Sequence, residues 1–402
     1  MPAEVALSSS PLHNLLVIEL GQFAAAPYCT MLLADLGARV IKVEPPGGDG
    51  IRNWPPILNS ESAAFLSLNR NKESIVVDFR KKTGASVIRQ LLNRSDVVVE
   101  NNRPGTLERY GLGYSQLERD LPRLIYCSIS GYGQTVTARD RAAFDLVIQA
   151  VTGMMSVTGE PNRPPSKIPV PIADFTAGLH AAIAVLAAVL ERLFTGRGDY
   201  IDIALQSSSM IWMTLLASRY FSTNELPAPL GSAHPMSAPY QAFRAKDGYL
   251  TIAIGNQSLW ERLTRLLGRE DLGDDPRFST NELRAKNQSE LARTVEAVLE
   301  KGHISSWLEV FDQAGIPAAK VNNLKEALEE PQLAQRGMIE AFEHPLFGSI
   351  KVIGDPIRSL HRPHRVHQRP PLLGEHTRGV LEEFGVSQAE INSLAKEGVI
   401  CL

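Results

Sequence analysis

The first half of the chain alternates between short, β-branched apolar runs and longer amphipathic stretches. Runs of the first kind predict strands, and they are LLVIEL (15–20), RVIKVE (39–44), SIVVDF (74–79), DVVVEN (96–101) and LIYCSIS (124–130). Amphipathic stretches predict helices at residues 27–38, 83–93 and 107–110. Strands that alternate with helices form parallel sheets, and strands this uniformly apolar are covered on both faces. The pattern therefore predicts an α/β fold with a doubly wound sheet.

The middle of the chain is richer in predicted helix. FDLVIQAVTGMM (144–155) predicts one helix, and a long apolar helix follows Asp174 after a Pro-rich loop at residues 159–171. YIDIAL (200–205) predicts a further strand, and residues 208–221 predict a further helix.

A smaller α/β unit is predicted beyond a Pro-rich linker. Its strands are expected at residues 247–256 and 315–321, and its helices at 258–267 and 289–300. From Met338 the chain returns to strand and loop and ends in a pair of helices. The expected segments are a large domain (1–205), a linker (206–234), a small domain (235–325), a second linker (326–345) and a C-terminal segment that rejoins the large domain (346–402).

Composition and charge exclude several classes of protein. The 402 residues, 44% of them hydrophobic, are enough for a large buried core. The net charge of −3, without runs of like charge, argues against nucleic acid as a partner. The cysteines, Cys29, Cys127 and Cys401, form no C-x-x-C pair, so we expect no disulfide framework or zinc site and a reducing cytoplasm. The N-terminus lacks a signal-peptide pattern, and the apolar stretch 175–190 is too short to span a membrane.

The common catalytic signatures are missing from the sequence. It contains no P-loop, no G-x-S-x-G elbow and no H-E-x-x-H helix, and its Gly clusters do not form a dinucleotide fingerprint. His361, His364 and His367 have the spacing of metal ligands on a helix, but Pro363 and the neighbouring arginines favour a solvated basic loop. We therefore predict no metal site.

Asp174 is the most informative single residue. It lies between the apolar segment IPVPIA (168–173) and a long apolar helix, where first-turn N–H groups favour an ionised carboxylate. Such a group can be a nucleophile, but aspartate is also a preferred N-cap, and the residues alone favour the cap. The Asp174→Asn variant separates the two interpretations, because asparagine keeps most of the cap and loses the nucleophile.

Other polar segments have two interpretations each. Residues 69–72 (NRNK) carry donors for a phosphorylated ligand, or form an ordinary polar turn. Residues 101–103 (NNR) follow a predicted strand, at the edge where open α/β sheets bind ligands. Gly255 and Asn256 end another strand and are typical of a tight turn.

Ten ordered blocks, taken together, resemble the class III CoA-transferase family, which includes formyl-CoA transferase, carnitine-type CoA-transferases and α-methylacyl-CoA racemase. They span nearly the whole chain and are LADLGARVIKVEPPGGD (33–49), NRNKESIVVDF (69–79), VVVENNRPGTLERYGLGY (97–114), SISGYGQ (128–134), FDLVIQAVTGMMSVTGEP (144–161), IADFTAG (172–178), HPMSAPY (234–240), DGYLTIAIGNQSLW (247–260), GIPAAKV (315–321) and PLLGEHT (371–377).

The resemblance implies a Rossmann-like large domain, a smaller α/β domain and two ring-shaped subunits interlocked as a homodimer. It also implies that Asp174 is the catalytic nucleophile. The positions that match CoA contacts of the family are Asn71, Lys72, Asn101 and Arg109. Further candidates for CoA phosphates or a substrate carboxylate are Arg52, Arg103 and Arg141.

The resemblance further implies a choice between transfer and racemisation. Racemases carry a histidine where this chain has Phe144, and a phenyl ring cannot carry a proton, so transfer is favoured. Formyl-CoA transferase has a polar side chain where this chain has Ala24, which argues against formate and oxalate as substrates; Gln22 stands nearby.

The expected activity moves CoA from an acyl-CoA donor to a free carboxylic acid through an Asp174 anhydride and an aspartyl-CoA thioester. We expect backbone N–H groups to stabilise the oxyanions, and neither ATP, metal nor a permanently bound cofactor is needed. Short dicarboxylates such as succinate, itaconate, mesaconate or malate are the expected acceptors. The alternatives are an acyl-CoA racemase or epimerase and a non-catalytic CoA-binding protein.

Overall fold

The computed structural model describes residues 10–59, 61–359 and 368–402, so His361, His364 and His367 lie outside the described residues. The strands are β1 (Leu16–Leu20), β2 (Arg39–Glu44), β3 (Ile57–Leu58), β4 (Glu61–Ser62), β5 (Lys72–Val76), β6 (Val97–Glu100), β7 (Ile125–Ser130), β8 (Tyr200–Ala204), β9 (Tyr240–Ala245), β10 (Gly248–Ala253), β11 (Ala318–Lys320), β12 (Ile339–His344) and β13 (Gly348–Ile353).

Helices connect and cover these strands. They are α1 (Ala25–Asp35), α2 (Ala63–Leu68), α3 (Lys82–Leu92), α4 (Tyr114–Leu117), α5 (Asp145–Val151), α6 (Met154–Val157), α7 (Ile172–Thr195), α8 (Leu205–Met210), α9 (Thr214–Thr223), α10 (Gln257–Leu266), α11 (Asp271–Asp274), α12 (Asn281–Lys286), α13 (Gln288–Leu299), α14 (Ile304–Gln313), α15 (Leu324–Leu328), α16 (Pro331–Gln335), α17 (Thr377–Glu383) and α18 (Gln388–Lys396). Short 3₁₀ turns lie at Gly50–Asn53, Glu108–Tyr110 and Ile211–Met213.

A six-stranded sheet organises the fold, with strand order β5-β2-β1-β6-β7-β8 and every neighbouring pair parallel. Successive residues of a strand face opposite sides of the sheet, so Val17 packs into one core and Ile18 into the other. Because both faces are covered, most strand positions are apolar, and the charged residues Glu19, Lys42 and Lys72 of these strands are buried. The predicted α/β class with a doubly wound parallel sheet is confirmed.

The two faces are covered by helices from distant parts of the chain. On one face the core contains Val87 of α3 together with Leu381 of α17 and Leu394 of α18. The other face is covered by α1 and α7, whose buried alanines allow close packing. The C-terminal segment therefore packs against a sheet of which five of the six strands lie in the first 130 residues.

The described chain divides into two compact units. One contains residues up to Thr152, Ile168–Phe221 and the chain from Pro331 on; the other contains Gly153–Lys167 and Ser222–Glu330. The second unit is built on an antiparallel sheet of order β11-β10-β9. Trp260 and Phe243 are buried in its core, so this unit has a hydrophobic core of its own.

Local structure departs from the predicted elements in three places. The helix expected over 144–155 is broken into α5 and α6 by Gly153, whose φ of 78° is left-handed. Residues 107–110 form only a 3₁₀ turn. The helix expected over 208–221 is divided into α8 and α9 by the 3₁₀ turn at Ile211–Met213.

Helix α7 has 24 residues and is the one described helix that is long and apolar enough to cross a membrane by length and composition, so the expectation that this stretch is too short is wrong. A core helix of a soluble protein passes the same test. Its residues Ala173, Ala177 and Ala181 are buried in the core beneath the sheet, which favours the predicted core helix.

Candidate active site

The carboxyl ends of β1 and β6 form the switch point of the sheet, because the strand order runs outward in opposite directions from this pair. Open α/β sheets bind ligands at such a point. Here Gln22 follows β1 and Asn101 follows β6, and they are joined by two hydrogen bonds of 2.8 Å: the Gln22 N–H donates to Asn101 Oδ1, and Asn101 Nδ2 donates to the Gln22 carbonyl. Asn101 thus lies at the predicted edge of the sheet and ties its two central strands together.

A buried carboxyl group lies beneath this edge. Glu100 accepts hydrogen bonds from the Ser128 hydroxyl and, at 2.7 Å, from the Asn102 N–H. Burial raises the pKa of Glu100 to about 7, and these hydrogen bonds act in the opposite direction.

The β1–α1 loop lies beside this edge in an unusual conformation. Phe23 has a φ of 63°, in the left-handed region that residues other than glycine rarely adopt. Its N–H donates to Asp49 Oδ1 at 3.0 Å, and its ring contacts Trp54 and Phe144 at centroid distances of 5.8 and 6.0 Å. The loop therefore places aromatic side chains from three segments together.

Small residues bring α5 and α7 close to the same edge. A Cβ on Gly131, directly after β7, would lie 2.3 Å from the Ala143 Cβ, so glycine lets residues 143–145 approach the strand end. A Cβ on Gly178 of α7 would lie 2.7 Å from the Ala25 carbonyl oxygen of α1. The first turn of α7 is thereby held against the first turn of α1.

Asp174 is the third residue of α7, and its side chain is half-buried. Burial, with the charge of Asp145 as a second cause, raises the pKa of Asp174 to about 7. No residue in the described part of the chain donates a hydrogen bond to its carboxylate. A carboxylate that lacks hydrogen-bond donors is more basic and more nucleophilic than a solvated one.

Asp145 holds the start of this helix from another element. Its Oδ1 accepts from the Ala173 N–H at 2.8 Å, and its Oδ2 accepts from Gln149 Nε2 at 2.7 Å. Pro171, at the N-cap of α7, provides no side-chain hydrogen bond, so Asp145 takes that role. The cap function that the sequence suggested for Asp174 belongs to Asp145 instead. Sequence reasoning missed Asp145 and Gln149, although the Phe144 comparison pointed to the block that contains them.

Lys72 is fully buried in a cluster of charged groups. Its Nζ donates to Glu19 Oε2 (2.9 Å), the Pro27 carbonyl (2.8 Å) and Asn69 Oδ1 (2.9 Å), so all three of its protons are used. Burial raises the pKa of Glu19, but the ammonium groups of Lys42 and Lys72 outweigh it and lower that pKa to about 2.

The same charge cluster extends to the β1–α1 loop. Lys42 also binds Asp49 at 2.8 Å, and Asp49 accepts the Phe23 N–H. Asn71, with a φ of 61°, donates to Asp35 Oδ1 at 2.9 Å and accepts from the Gln368 N–H. In this structure both predicted CoA contacts, Asn71 and Lys72, therefore have protein partners.

The predicted arginines fall into two groups. Arg52 is buried, bound by two oxygens of Glu44 and by Glu61, and it lies 3.4 Å from the centroid of the Phe65 ring. The exposed candidates lie on the loops that follow β6 and β7, at the carboxyl edge, and are Arg103, Arg109 and Arg141.

The remaining candidate positions from the sequence are Gln22, Ala24, Phe144 and Asn256. Ala24 is buried, and the Gln22 side-chain oxygen accepts from the Gly50 N–H at 3.2 Å. Phe144 is 62% exposed. Asn256 caps α10 by accepting from the Leu259 N–H at 2.9 Å. Within residues 10–59, 61–359 and 368–402 there is no group of three His, Cys, Asp or Glu side chains placed to hold a metal.

Comparison with known proteins identifies the family. The model described as CoA-transferase family III matches residues 12–377. The chain belongs to this family. It is 39% identical over 396 residues to the succinyl-CoA:glutarate CoA-transferase of Mus musculus, covering 98% of this chain and 91% of that protein. It is 36% identical over 382 residues to the succinate–glutarate CoA-transferase of Agrobacterium fabrum, covering 93% and 96%.

A solved structure of the same family supports the fold. The crystal structure of a CaiB/BaiF family protein from Brucella suis matches with a TM-score of 0.84 at 37% identity, covering 94% of this chain and 100% of that one. The expected resemblance to class III CoA-transferases is therefore confirmed, and the chain is an enzyme of that class, with CoA thioesters as substrates.

Proposed function

We propose that this class III CoA-transferase moves CoA from an acyl-CoA donor to a short dicarboxylate. The support is that several full-length relatives carry names of such reactions, with glutarate, D-citramalate or mesaconate as the acid and succinate or succinyl-CoA as its counterpart. The exposed arginines at the carboxyl edge of the sheet suit anionic substrates. Succinyl-CoA is the donor we expect.

The observation that carries the mechanism is the Asp174 carboxylate. It lies on the first turn of α7, its pKa is raised to about 7, and it accepts no hydrogen bond from the described residues. Near neutral pH a large fraction of it is ionised and free to attack a thioester carbonyl. Phe144, which precedes Asp145, has no ionisable proton, and this favours transfer over racemisation.

The proposed cycle balances without another reactant. An Asp174 oxygen bonds to the thioester carbonyl carbon, the C–S bond breaks, and the electron pair leaves on the CoA sulfur. The thiolate then attacks the aspartyl carbonyl of the anhydride, and the donor acid leaves as a carboxylate. The acceptor carboxylate then attacks the aspartyl-CoA thioester and releases the CoA thiolate. The thiolate attacks the acceptor carbonyl of this second anhydride, which gives the new acyl-CoA and frees the Asp174 carboxylate. The protein needs no resident cofactor for this exchange.

For CoA itself we propose contacts along the carboxyl edge. Asn101 lies at the switch point, and the exposed Arg103, Arg109 and Arg141 lie in the connections that follow β6 and β7. Asn71 and Lys72 stay candidates, although each must exchange a protein partner for CoA before it can bind the ligand.

We propose that the enzyme acts as an interlocked homodimer in the cytoplasm. In the single chain, large apolar side chains along α7, α8 and α9 are exposed to water, and such apolar surfaces are typical of protein–protein interfaces. They include Leu193, Phe194, Ile211, Trp212, Leu215 and Phe221, and Phe194 is 83% exposed. A second copy of the chain would cover them. The unpaired cysteines suit a reducing compartment.

The test is an acceptor screen with succinyl-CoA as donor, followed by hydroxylamine trapping of the acyl-enzyme. We expect glutarate and related dicarboxylates to be converted and the hydroxamate to be found on Asp174. Labelling elsewhere, or no transfer to any dicarboxylate, would contradict the proposal. A racemase would instead incorporate solvent deuterium at the α-carbon of a 2-methylacyl-CoA.

A further inference from the structure

Gln149 is a buried polar side chain whose bonds are all made within the protein. It lies one turn after Asp145 in α5 and is fully buried. Its Oε1 accepts from the Ile168 N–H at 2.8 Å, and its Nε2 donates to the Ile168 carbonyl at 3.2 Å and to Asp145 Oδ2 at 2.7 Å. Turning the amide over would set its oxygen against two acceptors, so these partners fix its orientation.

The contacts of Gln149 continue to the helix that carries Asp174. Gln149 fixes one oxygen of Asp145, and the other oxygen accepts the Ala173 N–H at 2.8 Å. Ala173 directly precedes Asp174. Gln149 therefore holds both the chain entering α7, at Ile168, and the residue that caps α7, at Asp145.

This arrangement sets two carboxylates at one helix end. Of the described titratable groups, Asp145 is the one whose charge acts on the Asp174 carboxyl. Helix α1 contributes the Tyr28 ring, which packs on Phe175 at 4.7 Å, and α8 contributes no titratable side chain. The repulsion between the two carboxylates disappears when Asp174 loses its charge.

We infer that Asp145 and Gln149 are positioning residues for CoA transfer: Gln149 clamps Asp145, and Asp145 fixes the first turn of α7 while its charge favours the acylated form of Asp174. The inference rests on the proposed function, because it assumes that Asp174 is acylated. In the first half-reaction the negative charge of Asp174 departs on the released acid, so the covalent thioester carries one charge fewer beside Asp145. A fixed charge at this point therefore drives acylation as well as orienting the nucleophile.

The test compares Asp145→Asn with Gln149→Met by the pH profile of kcat/KM and by the fraction of enzyme trapped as Asp174 hydroxamate. Gln149→Met loses only the hydrogen bonds of Gln149, among them the one to Asp145. Asp145→Asn keeps an acceptor for the Ala173 N–H but removes the charge and also the hydrogen bond between Gln149 and Asp145, because its Nδ2 then faces Gln149 Nε2. For Asp145→Asn we expect the acidic limb of the kcat/KM profile to move to lower pH by about one unit. We expect the fraction of enzyme trapped as Asp174 hydroxamate to fall by up to about tenfold. Gln149→Met keeps the charge and removes the clamp, so kcat should fall while the acidic limb stays in place.

Asp120→Asn is the matched control, because it removes an equal charge from an exposed pair with Arg89 ahead of β7, at the amino edge of the sheet. It should match the unmodified enzyme. If Asp145→Asn does not fold, as judged by circular dichroism, Asp145→Ser replaces it, since serine also removes the charge and has a smaller polar side chain.

An Asp145 variant with an unchanged acidic limb and an unchanged trapped fraction would overturn the inference, and so would a Gln149→Met enzyme with full kcat. Both results would leave the proposed function intact. Failure to label Asp174 in the unmodified enzyme would instead refute the proposed function, and the inference with it.

Discussion

At the scale of single residues, charge burial separates groups that build the molecule from the group that we propose reacts. Glu19, Lys42 and Lys72 are buried with their hydrogen-bonding atoms paired, whereas Asp174 is half-buried and accepts no hydrogen bond from the described residues. Paired buried charges hold a structure, and an unpaired one is available for chemistry. Sequence alone could not make this distinction, because Glu19, the carboxylate that pairs with Lys72, lies 53 residues earlier in the chain.

Replacing Lys72 tests whether it supports the fold or contacts CoA. Lys72→Met leaves Glu19 with one positive partner fewer, so we expect a loss of about 3 kcal/mol in the free energy of unfolding. Adding Glu19→Gln removes the surplus charge, and the double variant should be more stable than either single variant. Urea unfolding measures this. Strictly additive losses would contradict a structural role, and a raised KM for acyl-CoA in the double variant would indicate a CoA contact.

The raised pKa of Asp174 also predicts how stability depends on pH. The folded protein disfavours the charged form, so this group destabilises the fold as pH rises from about 3, where it is protonated in both states, to above 7. Asp174→Asn should therefore be more stable than the unmodified protein at pH 8, by about 2 kcal/mol once solvent screening of a half-buried side chain is allowed for. The difference should vanish near pH 3. Thermal unfolding at both pH values decides the matter, and an equal difference at both would refute the assignment.

At the scale of elements, the position of Asp174 depends on how closely α7 approaches α1. Gly178 has no side chain, and the Ala25 carbonyl and the Cys29 N–H occupy the space that a Cβ would need. The two helices meet backbone to backbone, with the carboxylate one turn earlier on α7.

Gly178→Ala should therefore destabilise the protein, by about 2 kcal/mol, because the added Cβ meets backbone that cannot move independently. The matched control is Gly379→Ala in α17, where a Cβ meets nothing within 4 Å; alanine there should stabilise by up to about 1 kcal/mol. Chemical denaturation of the two variants measures the contrast. If both variants changed stability in the same direction, the close contact would not be what requires glycine at Gly178.

The strands and long helices could be predicted from the sequence because each follows from local periodicity. The β-branched runs became β1, β2, β6 and β7, and the apolar stretch became α7. The cap of α7 could not be predicted, because Asp145 precedes Ala173 by 28 residues and no periodicity links them. Asp174 is a candidate nucleophile through the family resemblance, since the residues around it alone favour a cap. The bonds that occupy Lys72 arise only when three segments fold together.

At the scale of the whole molecule, the apolar surface of α7 to α9 predicts self-association. Phe194→Glu, which puts a charge on the most exposed apolar side chain of this surface, should weaken a dimer about tenfold or more. Phe194→Leu keeps the apolar contact and is the control. Analytical ultracentrifugation gives the dissociation constants. A monomeric unmodified protein, or a Phe194→Glu variant that dimerises normally, would contradict the prediction.

The two carboxylates at the start of α7 also bear on the order in which substrates arrive. When Asp174 is ionised, this helix end holds two negative charges and repels a free acid, whereas the uncharged carbonyl of a thioester meets less resistance. In the proposed acyl-enzyme the same end carries a single charge and admits the acid more readily. The enzyme would thus react with acyl-CoA before it binds the free acid, and abundant free dicarboxylate would inhibit it little.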